Sequence, residues 1–243
     1  MKYLIVGGVA GGAGTAARLR RLDESSEIIM FDKGPYVSYS NCSLPYRLSG
    51  PVDQTEKLVL MDPARFASQY NIQARVNSEV LAIDRAAKAV TVKDLERDRE
   101  YQESYDKLVL APGANALIPK IPGIESANLF TVKTVPDVAR LQDALQAGGL
   151  QKVTVVGGGF IGVEVAVNLR EAGYHVSLVE AAPQILATYD YDMVQILHKE
   201  MLDHGVDLMV GDNAVSFQGS HMTLASGRAG EGDAVVMPEG VTP

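Results

Sequence analysis

Short apolar runs alternate with small-residue and amphipathic stretches through the first third of the chain. KYLIV (residues 2–6) is a continuous apolar run of buried-strand type, and GGVAGG (7–12) breaks it. AGTAARLRRL (13–22) reads as a small-residue helix that ends basic, and EIIMF (27–31) as a second buried strand closing at Asp32. Strand, turn, helix and strand within about 30 residues make a βαβ opening. MDPARFASQY (61–70) predicts a helix with Asp62 as N-cap and Pro63 at its first position, and NIQARV (71–76) returns as a strand. The period then drops to two. VLAID, AVTVKD, REYQES and DKLVLA predict an antiparallel meander, with DLERDRE (94–100) as a charged hairpin turn. APGA (111–114) ends it, and the Pro-rich IPKIPG (118–123) predicts a crossover to a second domain.

The second domain repeats the first. KVTVV (152–156) is a strand, GGGFIG (157–162) a turn, VEVAVNLREAG (163–173) a helix stopped by Gly173, and HVSLVE (175–180) a strand closing at Glu180. A helix is expected near Tyr191 to His204, with the Asp190–Asp192 acids capping it, and short strands to the end. Gly7 and Gly157 stand 150 residues apart as matching positions.

Glycine in these turns has a chemical reason. A pyrophosphate is held by backbone N–H groups at a helix N-terminus, where the dipole favours anions, and side chains would block that approach. The second copy carries the full fingerprint, Gly157, Gly159 and Gly162, with Glu180 ending the next strand. Glu180 can accept from both ribose hydroxyls and would repel a 2′-phosphate, so NADH is favoured and NADPH is the second choice. The first copy reads Gly7, Val9 and Gly12, with valine at the middle position, Gly8 and Gly11 beside it, and Asp32 with Lys33 at the strand end. The expected fold is α/β, two Rossmann-like three-layer dinucleotide-binding domains with an antiparallel β-meander in the first. Residues 1–114 and 115–243 would each bind one dinucleotide.

Charge and cysteine usage narrow the function. A formal net charge of −8 argues against a nucleic-acid or anionic-membrane binder. A single cysteine, Cys42, allows no internal disulfide, which favours a reducing cytoplasm. The uncharged run from Tyr3 to Ala17 is too rich in glycine for a signal peptide. Two dinucleotide sites imply electron transfer from a nicotinamide to a flavin, and Cys42, ahead of SLPYRL, is the candidate next carrier. At the N-terminus of a short helix its thiolate would be stabilised. The four histidines show no metal-ligand spacing, and no metal site or hydrolase triad is expected.

With IVGGVAGG, FDKGPYVSYSNCSLPY, YDKLVLAPGA and VVGGGFIGVEVAVNLREAG in view, the chain resembles the FAD-dependent pyridine nucleotide–disulfide oxidoreductases over essentially its whole length. It is most similar to their single-cysteine branch, the coenzyme A disulfide and persulfide reductases and NADH oxidases. The resemblance implies FAD for residues 1–114 and NAD(P)H for residues 115–243, with the following roles. Gly7, Gly8, Val9, Ala10, Gly11 and Gly12 form the FAD pyrophosphate turn, Asp32 is the FAD ribose acid, and Ala111 and Gly113 lie near the flavin, with Pro112 in place of a threonine. Gly157, Gly159, Phe160, Ile161 and Gly162 form the NAD turn. Phe160 covers the flavin until nicotinamide displaces it, and Glu164 lies near the nicotinamide. Cys42 is the redox residue, Ser38 and Asn41 surround it and the thiol substrate, and Arg18 and Arg21 contact the phosphates of coenzyme A.

Arg47 stands where two-cysteine relatives carry their partner thiol, so the second sulfur would come from the substrate. Expected activity is transfer from NAD(P)H through FAD to Cys42 and a coenzyme A disulfide, persulfide or related thiol substrate. The alternatives are an NADH oxidase and, for this chain alone, a non-catalytic nucleotide-binding module. The family adds an FAD return segment and a dimerisation domain after its NAD domain. The chain stops at VVMPEGVTP, so it is expected to be a fragment of a homodimeric parent.

Overall fold

The structure is a computed structural model, and it describes residues 1–238 and 240–242. Glu239 and Pro243, part of the stretch expected to close the chain with short strands, lie outside the described residues. Compactness divides the chain into two units. Residues 1–40 and 56–114 form the first, and residues 41–55 join 115–242 in the second. The cysteine-bearing loop thus packs with residues that sequence reading assigns to the nicotinamide domain.

The first unit opens with β1 (Lys2–Val6), α1 (Ala10–Leu22) and β2 (Glu27–Phe31). α2 (Pro63–Tyr70) follows, and Asp62 caps it by accepting from the Arg65 N–H at 2.7 Å. β3 (Gln73–Arg75) joins the parallel sheet, whose order is β3-β2-β1-β7 once β7 (Lys107–Leu110) returns. Between them β4 (Ser78–Asp84), β5 (Ala89–Asp94) and β6 (Arg99–Ser104) form the antiparallel meander.

Alternation along the buried strands builds three layers, because successive side chains of a strand point to opposite faces. Ile5, Ile28 and Met30 pack towards Ala13, Ala16 and Phe66 of the helices. Their neighbours Leu4, Ile29 and Phe31 pack towards Val90 and Val92 of the meander. The small residues of α1 permit the close helix–sheet contact. Arg20 of the same helix turns inward and is 8% exposed. It donates to the backbone carbonyls of Tyr70, Asn71, Asp23 and Glu24 at 2.7–3.1 Å, tying α1 to the end of α2.

In the second unit β8 (Asn115–Ala116), β9 (Leu129–Phe130) and α3 (Val135–Gln146) precede the repeated motif of β10 (Lys152–Val156), α4 (Phe160–Glu171) and β11 (His175–Glu180). Sequence reading had no helix at α3. Thr134 and Asp137 cap it with a reciprocal capping box. α5 (Tyr191–Asp203) and β12 (Val206–Val210) follow. Asp190 occupies the N-cap of α5 but makes no side-chain capping bond; of the two acids expected to cap the helix, Asp192 accepts from a first-turn N–H, that of Met193 at 3.0 Å.

A small antiparallel sheet of β13 (Ala214–Gln218), β14 (His221–Leu224) and β15 (Ala229–Gly230) covers one face. Its core joins Phe217, Met222 and Leu224 to Val179, Met209 and Val235. With β16 (Ala234–Val236) the parallel sheet reads β12-β11-β10-β16-β9, and β17 (Val241–Thr242) pairs with β8. Both units share the mixed α/β plan expected from sequence. Among the described residues, no helix is long and apolar enough to cross a membrane.

Candidate functional site

In the first unit the chain leaves β1 through Gly7, at φ +96°, where the Gly7 N–H donates to the Phe31 carbonyl at 2.8 Å. A Cβ on Gly7 would lie 1.9 Å from the Ala111 carbonyl oxygen, and one on Gly12 would lie 1.7 Å from the Gly7 oxygen. The turn therefore closes only with glycine at both places. Gly8 is crowded by Val37, whose methyl would be 2.5 Å from its Cβ. The Asp32 carboxylate closes the turn from below. One oxygen accepts from the Gly8 N–H and the other from the Gly34 N–H, each at 2.8 Å.

The second unit repeats this circuit with different residues. Gly157 sits at φ +114° and donates to the Val179 carbonyl at 2.8 Å. A Cβ on Gly162 would lie 2.0 Å from the Gly157 oxygen. Glu180 accepts from the Gly158 N–H and the Ala182 N–H, each at 2.6 Å. The loops after the acids also match. Ser38 (φ 48°) and Leu186 (φ 46°) both adopt left-handed backbone, and their N–H groups donate to the Gly8 and Gly158 carbonyls at 2.8 Å.

Val9 replaces the middle glycine at a negative φ. Its φ is −94°, and Gly159 at the matching place has φ −73°. Neither position needs the left-handed freedom of glycine.

Both helix N-termini suit an anion. Val9 and Gly159 are the N-caps of α1 and α4, and neither makes a side-chain capping bond. Neither helix has an acid in its first turn. First-turn N–H groups and the positive end of the dipole are thus presented beside a turn cleared of side chains. Each acid holds one N–H on each oxygen, and a carboxylate oxygen has a second acceptor site left for a hydroxyl. The residues fit a pyrophosphate-linked dinucleotide in each unit, FAD and NAD(P)H included.

The remaining candidates fall into three groups. Ala111 lies against the first turn, with its N–H on the Val6 carbonyl at 2.7 Å, and Gly113 follows at φ +72°. Lys33 is exposed at the strand end, and Arg18 and Arg21 are exposed on α1 beside the inward-turned Arg20. On α4, Phe160 is 57% exposed and Ile161 38%, and the Phe160 ring meets Tyr189 edge-on at 5.8 Å. Glu164 is half-buried one turn further on.

Cys42 is exposed, next to exposed Asn41, on a three-residue 3-10 turn (Asn41–Ser43). The expected short helix after it is a second 3-10 turn, Pro45–Arg47. Three-residue turns do not sum peptide dipoles into a helix field, so that argument for thiolate stabilisation does not apply here. What fixes the loop is burial of Leu44 and Leu48 and a hydrogen bond from the Ser49 hydroxyl to Asn168 of α4. Asn168 is 4% exposed and donates in turn to the Glu164 carbonyl at 2.8 Å. The structure thereby joins the cysteine loop to the helix that bears Phe160 and Glu164. Sequence reading missed Asn168 and Ser49: Asn168 lies within VEVAVNLREAG but outside its glycine fingerprint, and Ser49 lies in no motif.

Two glycine turns, each braced by a strand-end acid and opening onto an uncapped helix, define a protein with paired dinucleotide-binding units. The chain belongs to the pyridine nucleotide-disulphide oxidoreductase family, whose model matches residues 1–243. It is 33% identical over 242 residues to a coenzyme A disulfide reductase of Staphylococcus aureus, covering 100% of this chain and 55% of that protein. Reduced Bacillus anthracis CoADR-RHD superposes with a TM-score of 0.97 at 42% identity, over 100% of this chain and 44% of that one. A NAD-dependent persulfide reductase from A. fulgidus gives 0.95 at 28% identity, over 100% of this chain and 46% of that one. The chain thus spans about half the length of the relatives it matches.

Proposed function

We propose that the protein is a flavin-dependent oxidoreductase that uses NADH, with NADPH as the second choice, to reduce a coenzyme A disulfide, a coenzyme A persulfide or a related small thiol substrate. The observation that carries this reading is the exposed single cysteine on a loop pinned to α4, in a chain with two acid-braced glycine turns. The names of its relatives support the substrate class.

In this reading the first turn, Gly7 to Gly12 with Asp32, Lys33, Ala111 and Gly113, holds FAD. The second, Gly157 to Gly162 with Glu180, holds the nicotinamide dinucleotide. Bound FAD supplies a two-electron relay between a nicotinamide and sulfur. Phe160 and Glu164 border the nicotinamide end of the second site. The Cys42 thiolate attacks the sulfur–sulfur bond of the substrate, retains one sulfur as a mixed disulfide or persulfide, and releases the other as a thiolate. Ser38 and Asn41 orient the substrate sulfur, and Arg18 and Arg21 pair with its phosphates. A homodimeric, cytoplasmic parent protein is part of the same proposal.

NADH consumption with coenzyme A disulfide, coenzyme A persulfide and oxygen as separate acceptors tests it. The sulfur acceptors should support turnover, and Cys42→Ser should lower that turnover at least a hundredfold. Equal turnover by Cys42→Ser would end the cysteine mechanism, and turnover with oxygen alone would point to an oxidase. A purified 243-residue chain without flavin absorbance would favour a nucleotide-binding module for this stretch.

A further inference from the structure

The loop between β11 and α5 is held from one side by a residue that no motif contains. The His198 Nε2, on α5, accepts from the Ile185 N–H at 3.2 Å. Ile185 is fully buried, and a Cβ placed on Gly158 would come within 2.8 Å of its methyl, so Ile185 packs directly on the second glycine turn. The next residue, Leu186, is the left-handed one that donates to the Gly158 carbonyl at 2.8 Å. Three residues on, the Tyr189 N–H donates to the Leu186 carbonyl at 2.9 Å, and the buried Gln184 amide donates to the Tyr189 carbonyl at 2.9 Å. The Tyr189 ring then meets Phe160 at 5.8 Å. From His198 the chain of contacts runs through Ile185 and Leu186 to the glycine turn, and through Tyr189 to the first residue of α4.

We infer that His198 is a positioning residue for the nucleotide site of the second unit, and that its neutral, hydrogen-bond-accepting form sets the loop 181–189 in the dinucleotide-binding arrangement. This rests on the reading of the second unit as the nicotinamide dinucleotide site. An imidazole nitrogen accepts only while unprotonated, so protonation at Nε2 turns an acceptor into a donor facing another donor. The bond is lost and the two N–H groups repel.

The surroundings leave this equilibrium to burial. On α5 the residues one turn away from His198 are Val194, Gln195, Met201 and Leu202, all uncharged. The ionisable groups of the neighbouring segments are His175 and Glu180 on β11, Tyr189 and Asp190 on the loop, and Asp207 on β12, with Tyr191, Asp192, Lys199, Glu200, Asp203 and His204 on or at the end of α5 itself. None of them contributes to the titration of His198, and burial alone holds its pKa below the ordinary histidine value. The sign follows. The accepting form is complete above the ordinary value of about 6.5 and is lost as pH falls through the depressed one.

NADH titrations of the 243-residue chain between pH 5.5 and 8.0, read by nicotinamide fluorescence, test the inference with two variants. In His198→Gln the side-chain oxygen takes the place of Nε2 as an acceptor that does not titrate. His198→Leu fills the space without an acceptor. Wild type should bind progressively more weakly in acid. At pH 8 the Gln variant should match it and the Leu variant should bind about fivefold more weakly, the worth of one hydrogen bond. Both variants should be flatter in pH than wild type. Parallel pH profiles for wild type and His198→Gln would overturn the inference, as would a His198→Leu affinity equal to wild type.

Amide exchange over 182–189, measured without nucleotide, separates the two layers of the argument. Faster exchange in His198→Leu, with NADH bound by no form at any pH, would uphold the brace and remove the dinucleotide site it was inferred to serve. Unchanged exchange would remove the brace itself.

Discussion

Gly12 and Gly14 lie two residues apart on α1 and should respond in opposite directions to the same substitution. A Cβ on Gly12 would lie 1.7 Å from the Gly7 carbonyl oxygen, against the 3.0 Å that real Cβ atoms keep. That oxygen belongs to the turn backbone, which is fixed by the Gly7 N–H bond to Phe31 and by the Asp32 bond to Gly8. Relief requires α1 to move off β1 or the turn to open. Overpacking of a fixed contact costs about 1–3 kcal/mol, and a clash with backbone belongs at or above the upper end. Gly14 meets nothing within 4 Å and is exposed in the helix interior. There alanine removes backbone entropy from the unfolded chain and contributes about 0.5–1 kcal/mol of stability. Urea unfolding followed by far-UV circular dichroism should show Gly12→Ala destabilised by about 3 kcal/mol and Gly14→Ala stabilised by less than about 1 kcal/mol. Flavin content on purification should fall with Gly12→Ala only. A Gly12→Ala midpoint within error of wild type would refute the claim that the turn closes by glycine-only contact.

The other expectations follow from single contacts. Arg20→Ala strips four carbonyls of a buried charged donor and should cost about 2–4 kcal/mol in the same urea assay, while Arg18→Ala and Arg21→Ala on exposed faces should cost less than about 0.5. Burial pushes the Glu103 carboxyl up, but hydrogen bonds from Lys2 and Arg75 outweigh it and hold its pKa below the usual carboxylate value. Glu103 therefore contributes stability above the ordinary glutamate value of about 4.3 that is lost as pH falls through the depressed value. The stability difference between wild type and Glu103→Gln, measured by urea from pH 7 to pH 3, should shrink across that window, and a constant difference would contradict the ion-pair account. Ser49→Ala removes the tie between the cysteine loop and Asn168 and should raise protease cleavage within 41–55 while leaving NADH binding unchanged. Equal cleavage would show that Leu44 and Leu48 hold the loop unaided.

The two βαβ units were legible because their strands are buried on both faces and read as unbroken apolar runs, KYLIV and KVTVV, each ended by glycines. The acids Asp32 and Glu180 were legible from their place at a strand end. α3 was also within reach, since Thr134, Pro136 and Asp137 spell a helix start ahead of an amphipathic stretch. SLPYRL, after Cys42, reads in sequence as a short helix. Pro45 and the burial of Leu44 and Leu48 leave two separate 3-10 turns instead. Other features carry no local sequence signal. Ser38 and Leu186 are non-glycine residues held in left-handed backbone by a bond to a distant glycine carbonyl. His198 reaches a backbone N–H thirteen residues away, a pairing that exists only once α5 has folded back over its own loop.

The duplication separates what the nucleotide sites share from what distinguishes them. Shared by both units are backbone features: a left-handed glycine after the first strand, a second glycine that lets the helix approach, and an acid with a turn N–H on each oxygen. A left-handed residue also ties the following loop to the turn. The pinning extends to the far ends of the sheets. Asp106 accepts from the Lys2 N–H at 2.7 Å and Asp233 from the Lys152 N–H at 2.9 Å. Side chains differ where a ligand would be met. At the N-cap Val9 stands where the second unit has Gly159, and within the helices Ala10, Gly11 and Gly14 stand where the second has Phe160, Ile161 and Glu164. The first helix is therefore stripped to small residues along the face that opens its turn, while the second exposes an aromatic ring and carries a carboxylate there. One backbone arrangement that suits a pyrophosphate thus occurs twice, and the two turns differ at the few positions on which that arrangement imposes no residue.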